Sequence, residues 1–158
     1  MISVYPIPAE LTYDFRSVVF EKPREDCRWP EDRLEGVFHL GGFIGGLQKG
    51  ACSFAPCEDA GRPGQRAFRL CGLAVLEEAR GQGLGGLLLL AGEGRAREMG
   101  FSHIWCLART AAAGFYQKYG WETVGEPSET PYGEVCVKMA KDLSGPYGCG
   151  GNTFRRLL

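Results

Sequence analysis

The feature that most constrains this chain is a glycine run just after a short apolar segment. Leu73-Ala74-Val75 is followed by Arg80-Gly81-Gln82-Gly83-Leu84-Gly85-Gly86, with four glycines in the six residues 81–86. Beyond them Leu84, Leu87, Leu88, Ala91 and Arg95 fall on one helical stripe. The pattern predicts a strand, a short loop and a helix that begins on glycine. A helix start leaves four N–H groups unpaired and carries roughly half a positive charge. Positions without side chains let a phosphate reach those amides. Glycine costs about 1 kcal/mol against alanine inside a helix, so a cluster of four here points to a ligand. The segment is read as a site for a diphosphate or a similar anion.

Two familiar anion sites fit poorly. Gly81-x-Gly83-x-x-Gly86 spells the dinucleotide fingerprint, but Glu77 to Arg80 separate it from its strand. No acidic residue ends the next strand, Ile104 to Ala108, where a ribose partner belongs. A P-loop fails because Leu87 and Leu88 stand where Lys and Ser/Thr are needed.

The rest of the chain reads as alternating elements. Ile2 to Ile7 predicts a strand, and Pro8 opens a helix that runs to about Phe20. Residues 24–35 are charged and read as loop with a short helical turn. Val37 to Phe43 and Leu47 to Phe54 predict a hairpin turned at Gly45-Gly46. Residues 56–65 read as an exposed loop tip, and Ala67 to Val75 as a strand in which Gly72 marks a bulge or a close backbone approach. In the glycine-rich helix, Glu93 and Arg97 have the spacing of a surface ion pair. Gly92 and Gly94 suggest close packing on a sheet. His103 to Ala108 predicts a strand, Thr110 an N-cap for a helix from Ala111 to Tyr119, and Trp121 to Gly125 and Tyr132 to Met139 the last two strands. This order predicts one α/β domain over residues 1–143 with a mixed sheet, followed by a Gly-rich tail over 144–158.

Composition narrows the classes. A length of 158 residues suits one core, and a formal net charge of -1 offers no basic surface for nucleic acid or an anionic membrane. No leader or membrane-spanning run is visible, so the reading is a cytoplasmic protein. Seven cysteines without Cys-x-x-Cys spacing, and only His39 and His103, support neither a disulfide framework nor a metal site. The cysteines are read as reduced and mostly buried.

Arg80-x-x-Gly83-x-Gly85 resembles the acetyl-CoA signature Gln/Arg-x-x-Gly-x-Gly/Ala of the GNAT superfamily of N-acetyltransferases. The resemblance runs from about Phe68 to Met139 and takes in Ala108-Arg109-Thr110. It also takes in Gly114-Phe115-Tyr116-Gln117-Lys118-Tyr119-Gly120-Trp121, similar to the family's Phe-Tyr-x-Lys-x-Gly-Phe. It implies a mostly antiparallel mixed sheet, splayed at its centre, with helices on both faces. It implies acetyl-CoA as co-substrate and no metal. Leu73, Ala74 and Val75 would hold the pantetheine arm by backbone bonds. Arg80, Gly81, Gln82, Gly83, Leu84, Gly85 and Gly86 would cradle the diphosphate. Tyr116 would lie near the sulfur as the acid for the departing thiolate. Without the resemblance, Tyr116 reads as a core residue beside Phe115. Leu107 departs from the family, which often has Asn there.

The implied reaction is direct attack by a primary amine of a small molecule or peptide. The acceptor would lie near Arg16, Trp29 and His39. Arg16 is read either as a carboxylate recogniser or as a solvated surface charge. No carboxylate occupies the strand from Phe68 to Val75, so the amine would lose its proton through water or arrive neutral. Acyl transfer through Cys71 or Cys106 lacks an adjacent base. A non-catalytic acyl-CoA-binding module is the competing reading, and a homodimer stays open.

Overall fold

The computed structural model describes residues 1–131 and 133–143. Tyr132 and the tail over 144–158, with Cys149, lie outside the described residues. The strands are β1 (Ile2–Ile7), β2 (Phe38–Ile44), β3 (Leu47–Pro56), β4 (Ala67–Val75), β5 (His103–Arg109), β6 (Glu122–Glu129) and β7 (Val135–Asp142). The α-helices are α1 (Ala9–Phe20), α2 (Leu84–Glu98) and α3 (Ala113–Lys118). Short 3-10 turns at Arg24–Cys27 and Pro30–Arg33 connect α1 to β2.

The strands form one sheet in the order β1-β2-β3-β4-β5-β7-β6. Every neighbouring pair is antiparallel except β4 with β5. That parallel pairing lasts only from Ala67–His103 to Arg69–Trp105, while β4 runs on to Val75 and β5 to Arg109. The two strands therefore part at the centre of an otherwise continuous sheet. This is the mixed sheet that the element order predicted, with the central splay that the family resemblance implied.

Side-chain alternation puts the helices on opposite faces. Gly42 and Gly50 face Leu84 and Leu88 of α2, whereas Ser53 turns to the other side and meets Arg16 of α1. The main core lies under α2, where Phe54, Phe68, Leu88, Leu89, Ile104 and Met139 are fully shielded from water. Gly92 belongs to this packing, because a Cβ there would stand 1.9 Å from the Phe54 ring. The hairpin at Gly45 and Gly46 has positive φ at both (59° and 83°), as a two-residue turn between twisted strands requires.

Several sequence expectations are corrected. Glu93 does not pair with Arg97; it is 1% exposed and turns inward to Trp121 and Lys141. Thr110 does not cap a helix. It opens a 3-10 turn, Thr110–Ala112, and α3 starts only at Ala113. The last two strands lie further along the chain than expected, β6 running to Glu129 and β7 from Val135 to Asp142. The loop at 57–66 is mostly exposed, as expected, but is anchored at one residue. Asp59 is buried and accepts bonds from the Gly61 N–H (3.0 Å), from His103 Nε2 (2.8 Å) and from Lys138 Nζ. These bonds fasten the loop across β5 and β7.

Candidate active site

The site begins at a break in β4. Ser53 pairs with Cys71 and Ala51 with Ala74, so one residue of β3 opposes two of β4. Gly72 absorbs the extra residue with φ of +64°. Such a bulge bends the strand and interrupts its ladder. Here it faces the gap left by β5.

Past Val75 the chain makes a 3-10 turn, Glu77–Ala79, and reaches Arg80, whose Nε donates back to the Val75 carbonyl at 3.2 Å. Gly81 and Gly83 have φ of 81° and 86°, with no atom within 4 Å of where their side chains would stand. Gly83 caps α2, and the first helical bond runs from the Leu87 N–H to its carbonyl at 3.1 Å. The amides of Leu84, Gly85 and Gly86 consequently have no partner within the helix.

A cleft of about 420 Å³ opens onto these amides. Leu73, Val75, Arg80, Gly81, Gly83, Leu84, Gly85, Gly86 and Tyr116 all line it. Ala74 and Gln82 do not. Sequence reasoning missed Ala79, Ala112, Phe115, Lys118 and Tyr119, which complete the wall. Phe115, Lys118 and Tyr119 belong to the same motif as Tyr116, and their spacing on one short helix was the available signal. Leu107 is 52% exposed and lies outside the cleft.

Tyr116 is buried between the rings of Phe115 (5.2 Å) and Trp121 (5.3 Å). Burial pushes its phenol well above the ordinary value, and the neighbouring Cys106 adds to the rise. The group stays protonated and can donate. Burial also lifts the Cys71 and Cys106 thiols to about 12, so neither supplies a thiolate for a covalent route.

Arg16, Trp29 and His39 come together across the sheet from the cleft. Arg16 is neither a free carboxylate recogniser nor a solvated charge, because it is 2% exposed and both its terminal nitrogens are already engaged. Nη1 bonds the Cys27 carbonyl (2.8 Å) and Asp32 (2.7 Å), while Nη2 bonds Asp32 (3.1 Å) and Ser53 Oγ (2.9 Å). Its guanidinium also lies 3.6 Å over the Trp29 ring. Ser53 Oγ accepts from Arg16 and also shares a hydrogen bond with His39 Nδ1 at 2.7 Å. Burial lowers the His39 pKa and keeps the ring neutral. Trp29 is half-buried with its backbone N–H on Asp32 (2.8 Å). Its ring meets the bulge from behind, 2.6 Å from a Cβ added to Gly72. Glu31, on the same turn as Asp32, pairs with Arg69 of β4 at 3.1 Å. One ion pair thus ties the α1–β2 connection to α1 and the other ties it to β4 of the sheet.

A sequence model of the Acetyltransferase (GNAT) family matches residues 7–121, which include the bulge, the glycine cradle and Tyr116. The chain belongs to this family. It is a GNAT acyltransferase, and acetyl transfer is its chemistry. An uncharacterized N-acetyltransferase, YitI, of Bacillus subtilis (strain 168) is 37% identical over 133 residues, which is 83% of this chain and 89% of that protein. Among solved structures, an aminoglycoside 6'-N-acetyltransferase complexed with coenzyme A superposes with a TM-score of 0.71 at 15% identity, covering 92% of this chain and 98% of that one. A GNAT family acetyltransferase from Elizabethkingia anophelis with acetyl-CoA bound gives 0.65 at 17% identity, covering 89% and 97%. At these identities the likeness is one of fold. Among the described residues of this GNAT acetyltransferase, no helix is long and apolar enough to cross a membrane.

Proposed function

We propose that this chain moves an acetyl group from acetyl-CoA to a primary amine of a small molecule or peptide by direct attack. One observation carries the reading. The gap where β4 and β5 part opens beside the unpaired amides of α2, and a protonated, buried phenol lines the same cleft.

The residues suit the co-substrate. Open space at Gly81 and Gly83 and unpaired N–H groups from Leu84 to Gly86 suit a diphosphate. The side chains of Arg80 and Lys118 add positive charge at the rim. Backbone groups of Leu73 and Val75, freed from β5 by the splay, suit the amides of a pantetheine arm as an added strand would. The thioester supplies an activated acyl carbon. An N–H of the bulge would stabilise charge developing on its oxygen, and Tyr116 would give its proton to the departing sulfur.

Trp29 touches the bulge from the far face, which fits a wall of the acceptor pocket. Arg16 acts through Trp29, on which it stacks, rather than on the acceptor, and His39 braces Ser53 behind it. The amine's proton leaves through water, and water returns to Tyr116 the proton that it gives to the sulfur. The test is a free-thiol release assay across a panel of amines, with calorimetric titration of CoA alongside it. Release that depends on one amine class supports the reading. A protein that neither binds CoA nor releases thiol with any amine refutes it.

A further inference from the structure

Glu93 stands in the middle of α2 and is 1% exposed. A carboxylate at that depth is costly unless paired and hydrogen-bonded. Its Oε1 accepts the Trp121 indole N–H at 2.7 Å, and its Oε2 accepts Lys141 Nζ at 3.0 Å. Lys141 donates a second bond, to the Tyr119 carbonyl at 2.8 Å. Tyr119 and Trp121 flank Gly120, whose φ of +86° closes α3. One buried carboxylate therefore grips the end of α3 directly through Trp121 and indirectly through Lys141.

Gly86 and Glu93 are seven residues apart, so they share a face of α2 about 10 Å apart along its axis. The Tyr119 phenol rests on Gly86, and the end of α3 is tied at Glu93. α3 has six residues and no side-chain cap, too short to hold itself in place. Yet it carries Phe115, Tyr116 and Tyr119 into the cleft. The Trp121 ring held by Glu93 also packs on Tyr116 at 5.3 Å. An apolar contact of the same volume would serve stability as well as a buried ion pair does. What the carboxylate adds is direction, because its two oxygens fix two separate donors.

We propose that Glu93 is a positioning residue for the co-substrate cleft. Through Trp121 and Lys141 it sets the wall formed by α3, and with it Tyr116 and Tyr119, against the glycine-rich start of α2. The proposal rests on the acetyl-CoA reading of the cleft and goes beyond it.

The test is calorimetric titration with CoA, well below each protein's melting temperature, on the wild type, Glu93→Gln and Glu93→Gln/Lys141→Met. Glu93→Gln is expected to lower CoA affinity about tenfold, and acetyl transfer by up to about a hundredfold. The double variant, which leaves no unpaired charge, recovers stability in urea but not CoA affinity. Wild-type affinity in Glu93→Gln, whatever its melting temperature, would reduce Glu93 to a structural role and overturn the proposal. Trp121→Phe keeps an aromatic ring there but removes the indole donor together with the five-membered ring, and it answers the question if Glu93→Gln does not fold. It too should bind CoA more weakly, and unchanged binding there counts against the proposal. Failure of the wild type to bind CoA is a separate result that removes the acetyl-CoA reading itself.

Discussion

The phenol of Tyr119 lies on the first turn of α2, so close that a carbon added at Gly86 would stand 1.9 Å from its oxygen. The glycine is needed for this contact as well as for a bare diphosphate cradle. Gly86→Ala should destabilise the protein by about 1–3 kcal/mol, the usual cost of overpacking, because the rigid phenol has to move. Tyr119→Leu in the same chain removes the obstacle and should return most of the loss. Urea midpoints of the single and double variants check this.

Gly92 and Gly94, both inside α2, should respond to alanine with opposite signs. A Cβ at Gly92 enters the Phe54 ring at 1.9 Å, whereas one at Gly94 meets nothing within 4 Å. Gly94→Ala should stabilise by up to about 1 kcal/mol through helix propensity alone. Gly92→Ala should destabilise despite the same propensity gain. Thermal melts of the two variants, compared with the wild type, decide the matter.

This pair also marks what the sequence could show. Two glycines in one helix predicted close packing, but only the sheet's course under α2 reveals which of them packs. Tyr116 was singled out only through the resemblance of its motif to the family's, whereas the glycine-rich helix start and the irregularity at Gly72 were readable from local spacing. Arg16 and Glu93 were misread for the opposite reason. Helical spacing offered Arg97 to Glu93 and solvent to Arg16, while the true partners lie far along the chain, at Trp121 and Lys141 for the one and at Asp32 and Ser53 for the other. Ala74 and Gln82 do not line the cleft, because a bulged strand end and a loop do not present every successive residue to one side.

Arg16→Met should be severely destabilising. Arg16 and Asp32 are each 2% exposed in side chain, and removing the guanidinium leaves a buried carboxylate without its cation. Breaking such a pair typically costs about 3–5 kcal/mol. Asp32 would keep only the Trp29 N–H, and Trp29 would lose the cation stacked on its ring. Arg16→Lys should recover little, since one ammonium cannot serve Asp32, Ser53 and the Cys27 carbonyl in the geometry of the fork. Chemical denaturation of both variants measures the difference.

His39 should make stability depend on pH. Burial is the main cause of its lowered pKa and Arg16 adds to it, while Asp32 and Glu10 act in the opposite direction. Between the ordinary value of 6.5 and the lower folded value, the unfolded chain binds a proton that the folded chain refuses. Stability is therefore full above 6.5 and falls as pH drops through that window. His39→Gln, whose amide oxygen can still accept from Ser53, should show a flatter profile between about pH 7.5 and about pH 5.5. Identical slopes in the two proteins would remove His39 from the account.

Tyr116→Phe separates binding from chemistry. The substitution keeps the ring against Phe115 and Trp121 and removes only the hydroxyl, so CoA affinity should hold. Loss of a positioned acid should lower kcat by roughly 10²–10⁴. The raised pKa of the phenol gives a second test, because the acid keeps its proton well past the ordinary phenol value of about 10. The wild-type rate should therefore go on rising with pH as the amine deprotonates, with no fall at that value. Ultraviolet titration of the folded wild type should show a late-ionising phenol that is missing from Tyr116→Phe. A kcat that is unchanged in Tyr116→Phe at neutral pH would move the acid elsewhere, and Tyr119, on the same wall, would be the next phenol to replace.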